Sequence, residues 1–345
     1  MAERRPRVLL AGAPVGELTA HEVGTALARG FADTAQVAVL GLAERGLGLA
    51  AVLAGSDAGV ETLTSGWVAR ADDLAACGSL GTAPAPDVLD AGSGALGRLA
   101  AYVLQRPAAT VAIDLTGTDC HDAGAGLLAA LGARADVPLD FGPVPLAGLG
   151  AIELGLARDL LTGCDLVGLV PAGERDDLLL GLRGITSRRG RALGVPAERM
   201  LAVDAALERF AHAIDPGLAA APGAGAAGGL GFAVLALGGR LATGPGFTAE
   251  RTGLDRTVGA ADLVVTACDS FDFGSRGGGV VADLARRCEA AETPLIVVSP
   301  VLGMSGREMR VMGVESAHPL EPDADLGRSL TATARRLASG WAGRW

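Results

Sequence analysis

Two short stretches and a scatter of arginines hold the residue types that could do chemistry. The first, TGTDCHDAGAG (residues 116–126), sets Asp119, His121 and Asp122 in one turn directly after an apolar run. Carboxylates at the C-terminal ends of strands in α/β proteins commonly line ligand crevices. A neighbouring His–Asp pair can orient a hydroxyl for general-base attack; the same Asp can instead serve as a helix N-cap. The second stretch, PGAGAAGGLG (residues 222–231), stands before an apolar segment. Its glycines can reach positive φ and bring N–H groups close to an anion at a helix N-terminus, or simply bend the chain. Arg158 beside Asp159, Arg276 near Asp272, and the run Arg188, Arg189 and Arg191 supply cations, the run being equally suited to a solvated loop. No metal site is expected at Asp119, Cys120 and His121, because three consecutive ligands rarely converge on one ion.

Composition narrows the chemistry. All 29 basic residues are Arg, and neither Lys nor Asn occurs in the 345 residues. A Walker P-loop is therefore excluded, since it needs Lys on the transferred phosphates, and any phosphate must meet Arg, backbone N–H groups or a metal. With 39 acidic residues the formal net charge is −10, a field that repels nucleic-acid backbones and anionic membranes. The five cysteines are odd in number, widely spaced and free of CxxC, which suggests reduced thiols and a cytoplasmic location. The uncharged stretch between Asp215 and Arg240 is long enough to span a bilayer, but its Gly and Pro content reads as a loop feeding a buried helix. Neither a nucleic acid nor a membrane is expected as a partner.

Positioning these residues requires elements, and the elements alternate. Residues 7–11 read as a strand, 19–32 as a helix with a Thr19/Glu22 capping box, and 36–40 as a strand: a βαβ unit with a right-handed crossover. The pattern returns at 262–267, 280–291 and 294–299, and a last helix covers 325–339. Between them lie a buried strand at 110–115 and a long amphipathic helix at 197–214. The expected fold is α/β with two domains: a Rossmann-like parallel-sheet domain from both chain ends, residues 1–66 and 250–345, and an inserted second α/β domain, 67–249, with a cleft between. Half the residues are hydrophobic and only 3% aromatic, so both cores must be built from Leu, Val and Ala.

In this order the motifs resemble the type I glycerate kinase family, which uses ATP to phosphorylate D-glycerate. Residues 222–231 match a family motif throughout. Residues 116–126 resemble the family's GGSATNDGGAG, keeping Gly117, Asp122, Gly124, Ala125 and Gly126, and GSG at 92–94 looks like its GTG. Residues 152–163 and 262–275 also resemble family segments, so the likeness runs to about Gly303. It implies catalytic roles for Asp122, His121 and Asp272, and a substrate and phosphate site drawn from Ser93, Gly94, Thr118, Asp119, Arg158, Gly223, Gly225, Gly228 and Gly229. It further implies a small hydroxy acid and a nucleotide as partners, ATP and Mg²⁺ as cofactors if the protein is active, and a monomer or homodimer.

The chain is a divergent member by the same comparison. The family's acidic residue, Ser and Lys at the first turn become Gly12, Ala13 and Val15; its acidic glycine motif becomes residues 43–48, with Leu47 at the second carboxylate. In the late segment Cys268 replaces a Glu, Ser270 an Arg and Gly279 a Lys, while Asp272 remains. Two readings follow: a glycerate kinase, or a family member without kinase activity that binds a small anion or nucleotide in a regulatory role.

Overall fold

The structure is a computed structural model that describes residues 5–55, 59–81 and 88–341. Its fold is α/β, divided into two compact units: residues 1–44 with 245–345, and residues 45–244.

In the first unit five parallel strands pair in the order Ser316–Pro319, Leu295–Ser299, Leu263–Ala267, Arg7–Gly12, Gln36–Gly41. Alternation along each strand supplies two apolar faces, because successive side chains point to opposite sides of a sheet. Val8, Leu10, Leu263, Val265, Ile296 and Val298 form one core with Leu27, Phe31, Leu330 and Leu337. Leu9, Ala11, Val264, Leu295 and Val297 form the other with Val281 and Leu284. A sheet buried on both faces is what near-continuous apolar strands require. The helix Ala20–Phe31 begins at the expected capping box, with Glu22 N–H donating to Thr19 Oγ1 at 3.3 Å and Thr19 N–H to Glu22 Oε2 at 2.8 Å.

Among the described residues the main sheet of the second unit has six strands in the order Arg240–Ala242, Asp165–Leu169, Thr110–Asp114, Leu74–Ser79, Gly66–Ala71, Val60–Leu63. The first four are parallel, and Gly66–Ala71 runs antiparallel to both of its neighbours. This antiparallel edge moves a boundary. Residues 46–79 were expected to divide at 66, but Gly66–Ala71 pairs with both Val60–Leu63 and Leu74–Ser79, and the helix Gly46–Ala54 packs on Gly66–Ala71. The chain therefore passes from one unit to the other at 44–45. Among the described residues no helix is long and apolar enough to cross a membrane.

Candidate active site

The turn at 116–126 leaves the C-terminal end of Thr110–Asp114, a central strand of the second unit. The glycine segment 222–231 packs directly on it. Ala123 N–H donates to Gly228 O at 3.3 Å, and Cys120 Sγ lies 3.3 Å from Ala227 O. Two L-residues at this junction, Ala123 (φ 52°) and Ala227 (φ 51°), are held in the left-handed region. Such backbone costs about 1–3 kcal/mol per residue and clusters where structure serves function.

Asp122 organises the turn. It is wholly buried, and its carboxylate accepts four hydrogen bonds. Oδ2 takes Ser93 N–H at 2.8 Å, Ser93 Oγ–H at 2.9 Å and Gly126 N–H at 3.0 Å; Oδ1 takes Gly124 N–H at 3.0 Å. Ser93 Oγ in turn accepts Leu127 N–H at 2.9 Å. Burial pushes the Asp122 carboxyl above its usual range, outweighing these donors. The expected base is thus enclosed: from two residues before the N-cap Gly124 it holds the N–H groups of Gly124 and Gly126 and ties the start of the helix Ala125–Ala130 to residue 93. His121 is also buried and shares a 2.9 Å hydrogen bond between Nε2 and Thr186 Oγ1. A Cβ on Gly94 would lie 1.8 Å from Asp140 Oδ1, so the exposed Asp140 side chain would have to move aside.

Two residues of the turn face differently. Asp119 is exposed. Thr118 is 9% exposed, and among the described residues its hydroxyl has no hydrogen-bond partner. A buried hydroxyl without a partner is uncommon and calls for a ligand or water.

Several N–H groups of the glycine segment are already engaged within the protein. Gly225 N–H donates to Asp177 O at 2.9 Å, Ala226 N–H to Gly223 O at 2.9 Å, Ala227 N–H to Glu174 Oε2 at 2.7 Å and Gly229 N–H to Gly225 O at 3.1 Å. Its glycines answer to packing: a Cβ on Gly225 would lie 2.1 Å from Leu178 O, and one on Gly228 (φ 72°) 1.8 Å from Cys120 O. Gly223 (φ 81°) and Gly229 (φ 93°) are likewise left-handed and closely approached.

Three of the five candidate arginines are engaged as well. Arg158 Nε and Nη2 donate to Ala236 O at 3.2 and 2.9 Å. That carbonyl is at the C-terminal end of Ala226–Ala236, whose regular helical part follows the kink at residues 227–229. Arg158 therefore caps a helix C-terminus. Arg189 Nη1 donates to Cys120 O at 2.7 Å, and Arg188 pairs with Glu174 and Asp177.

The first unit carries Asp272 in a loop of its own. Oδ2 accepts Ser270 Oγ–H at 2.6 Å, and Oδ1 accepts Gly274 and Ser275 N–H, both at 2.8 Å. The Ser270 hydroxyl, then the Ser275 N–H, hold its carboxyl down at about 2. Cys268 is a buried thiol pushed up to about 11 by that burial. At Gly279 the backbone N–H donates to Glu44 Oε2 at 3.0 Å.

Asp114 escaped the sequence analysis. It ends the strand Thr110–Asp114, is 1% exposed, and accepts Gly46 N–H at 2.9 Å and the Thr116 hydroxyl at 2.6 Å. Its position at a strand C-terminus was the available signal. Among the described residues no three His, Cys, Asp or Glu side chains converge as a metal site. All five cysteines are free.

Comparison with known proteins follows this geometry. The sequence profile described as "Glycerate kinase family" matches residues 15–340. An uncharacterised protein of Mycobacterium tuberculosis is 30% identical over 270 residues, 77% of this chain and 65% of that protein. The chain thus spans about two thirds of this relative's length. A protein named glycerate kinase from Bacillus cereus is 27% identical over 263 residues (71% and 68%), and one named glycerate 2-kinase from Escherichia coli 26% over 346 residues (88% and 86%). A crystal structure described as glycerate kinase 2 of Salmonella typhimurium superposes with a TM-score of 0.80 at 23% identity, covering 99% of this chain and all of that one, a likeness of fold.

Proposed function

The chain belongs to the glycerate kinase family, and from that premise we propose that it binds a small hydroxy acid of the glycerate class at residues 116–121 and transfers phosphoryl from ATP slowly or not at all. One observation carries this reading. Asp122, Arg158, Arg188 and Arg189 already bond within the protein, whereas among the described residues the buried Thr118 hydroxyl has no partner. Asp122 accepts four protein donors. Arg158, Arg188 and Arg189 serve protein carbonyls and carboxylates.

Phosphoryl transfer depends on positioning and on fixed cations, one of which can contribute about 10³-fold or more. Asp272 already accepts from Ser270, Gly274 and Ser275, and among the described residues no three metal-ligating side chains converge to hold Mg²⁺ by themselves. We derive no step through Mg²⁺ or a nucleotide. Binding uses the chain's own groups. Thr118 Oγ–H donates to the ligand, the exposed Asp119 carboxylate accepts from its hydroxyl, and Asp122 and His121 hold the turn. The five free thiols support a reducing compartment such as the cytoplasm for this activity.

An active ATP-dependent glycerate kinase is the competing reading. Family membership favours it, as does Asp119, an exposed carboxylate next to Thr118 that could take a hydroxyl proton. Calorimetric titration with D-glycerate, beside an assay of ADP release from ATP–Mg²⁺ and D-glycerate, separates the two. Saturable glycerate binding with ADP release at the buffer rate is the expected result. Rapid ADP release overturns it in favour of the kinase, and absence of binding removes both readings.

A further inference from the structure

The segment at 171–177 matches none of the motifs, yet it reaches into the glycine segment. The short turn Ala172–Glu174 ends on a carboxylate whose Oε2 accepts Ala227 N–H at 2.7 Å and whose Oε1 lies 3.1 Å from Arg188 Nη2. Arg188 Nη1 also donates to Asp177 Oδ1 at 2.6 Å. A backbone N–H in the left-handed turn at Ala227, joined by a guanidinium, is a donor set suited to small carboxylates and phosphates. The occupant is already a carboxylate, but one belonging to the protein. Glu174 keeps 22% of its side chain exposed, so a solute can reach it. The same Ala227 offers its carbonyl to Cys120, two residues from the unpartnered Thr118 hydroxyl.

We propose that Glu174 is a tethered competitor: its carboxylate fills an anion locus formed by Ala227 N–H and Arg188, and a ligand carboxylate displaces it on binding. The identity of that ligand as a hydroxy acid rests on the reading of residues 116–121; the locus itself does not. An occupied locus lowers apparent affinity by the fraction of molecules in which it is open. A locus closed nine-tenths of the time therefore weakens binding about ten-fold, and removing the competitor restores that factor.

The test uses the full chain with Glu174→Ala, and with Glu174→Gln, which keeps the shape and an acceptor but not the charge. Thermal unfolding is compared in sodium formate and in sodium chloride of equal ionic strength, and D-glycerate is titrated calorimetrically into each protein. Formate should enter the space vacated in Glu174→Ala and raise its Tm above the chloride value. At ten times its dissociation constant it raises the folded-to-unfolded ratio about 11-fold. Wild type should not respond, and glycerate should bind Glu174→Ala about ten-fold more tightly than wild type. Equal responses of wild type and Glu174→Ala to formate overturn the locus. Formate stabilisation with glycerate affinity equal to that of a binding wild type overturns the competition. Formate stabilisation with no glycerate binding to any of the proteins supports the locus and removes the hydroxy-acid reading instead. Should Glu174→Ala fail to fold, Glu174→Gln decides: it is expected to gain glycerate affinity over wild type, and an unchanged or weaker value overturns the proposal.

Discussion

Asp122 in the second unit and Asp272 in the first are both motif carboxylates, and both accept hydrogen bonds from their own turns. Asp122 is fully buried and holds three backbone N–H groups and a hydroxyl. Asp272 stands partly exposed, where water can replace any donor it loses. Their carboxyls move in opposite directions, up by burial at Asp122 and down by the Ser270 hydroxyl at Asp272. The contrast shows that a retained Asp in a family motif can be retained for the backbone around it.

The largest effect should come from Asp122→Ala. It leaves the N–H groups of Ser93, Gly124 and Gly126 without an acceptor in a dry interior. Each unsatisfied buried group costs about 1–3 kcal/mol, so a total loss of about 3–5 kcal/mol is expected. Asp272→Ala should cost clearly less in urea unfolding, because water can reach the donors it releases. Equal losses in the two variants would break the comparison.

Gly228→Ala against Gly274→Ala extends it to the backbone. A Cβ at Gly228 would lie 1.8 Å from Cys120 O in a left-handed residue, whereas at Gly274 the nearest atom is Asp272 Oδ1 at 3.4 Å and φ is ordinary. The first substitution should destabilise by about 2–4 kcal/mol through overlap and strain, and the second should stay within about 0.5 kcal/mol. A tolerated Gly228→Ala, measured by the same urea curves, would show that the junction of the two turns is looser than described.

The strands and helices that build these regions were legible from periodicity. Residues 7–11 and 36–40 lie within Arg7–Gly12 and Gln36–Gly41, and Ala197–Ile214 forms the helix its amphipathic pattern announced. The direction in which the glycine N–H groups point was not legible. Those of Gly225 and Ala227 meet Asp177 O and Glu174, some 50 residues earlier in the chain, and no local pattern encodes that meeting. Arg158 illustrates the same limit, since its charge was visible but its carbonyl partner, Ala236 O, is 78 residues away. The edge hairpin at 60–79 escaped because short antiparallel strands carry only a weak alternating signal.

Arg158→Ala tests whether the two ends of the helix Ala226–Ala236 have separate roles. The exposed guanidinium contributes hydrogen bonds to one carbonyl and a favourable charge at a helix C-terminus, so its loss should cost about 0.5–1.5 kcal/mol. D-glycerate affinity should not change. A calorimetric loss of affinity with stability intact would return Arg158 to the ligand site.

The smallest effect lies in the acid limb, where the two carboxylates should oppose each other. Asp272 has a folded value of about 2, against about 3.9 in an unfolded chain. A depressed carboxylate contributes stability that is fully present above the unfolded value and is lost as pH falls through the folded one. The Asp272 contribution should therefore disappear between about pH 4 and pH 2. Asp122 is raised, so its native form holds the proton more tightly than the unfolded chain does. Its contribution must grow as pH falls through the folded value towards about 3.9, above the Asp272 window. Urea curves for wild type and Asp272→Asn from pH 7 to pH 2 isolate the Asp272 part. The wild-type advantage should be constant down to about pH 4 and close by about pH 2. An advantage that stays constant to pH 2 would mean that the Ser270 hydroxyl and the Gly274 and Ser275 N–H groups do not hold this carboxylate, and the difference between the two loops would then rest on Asp122 alone.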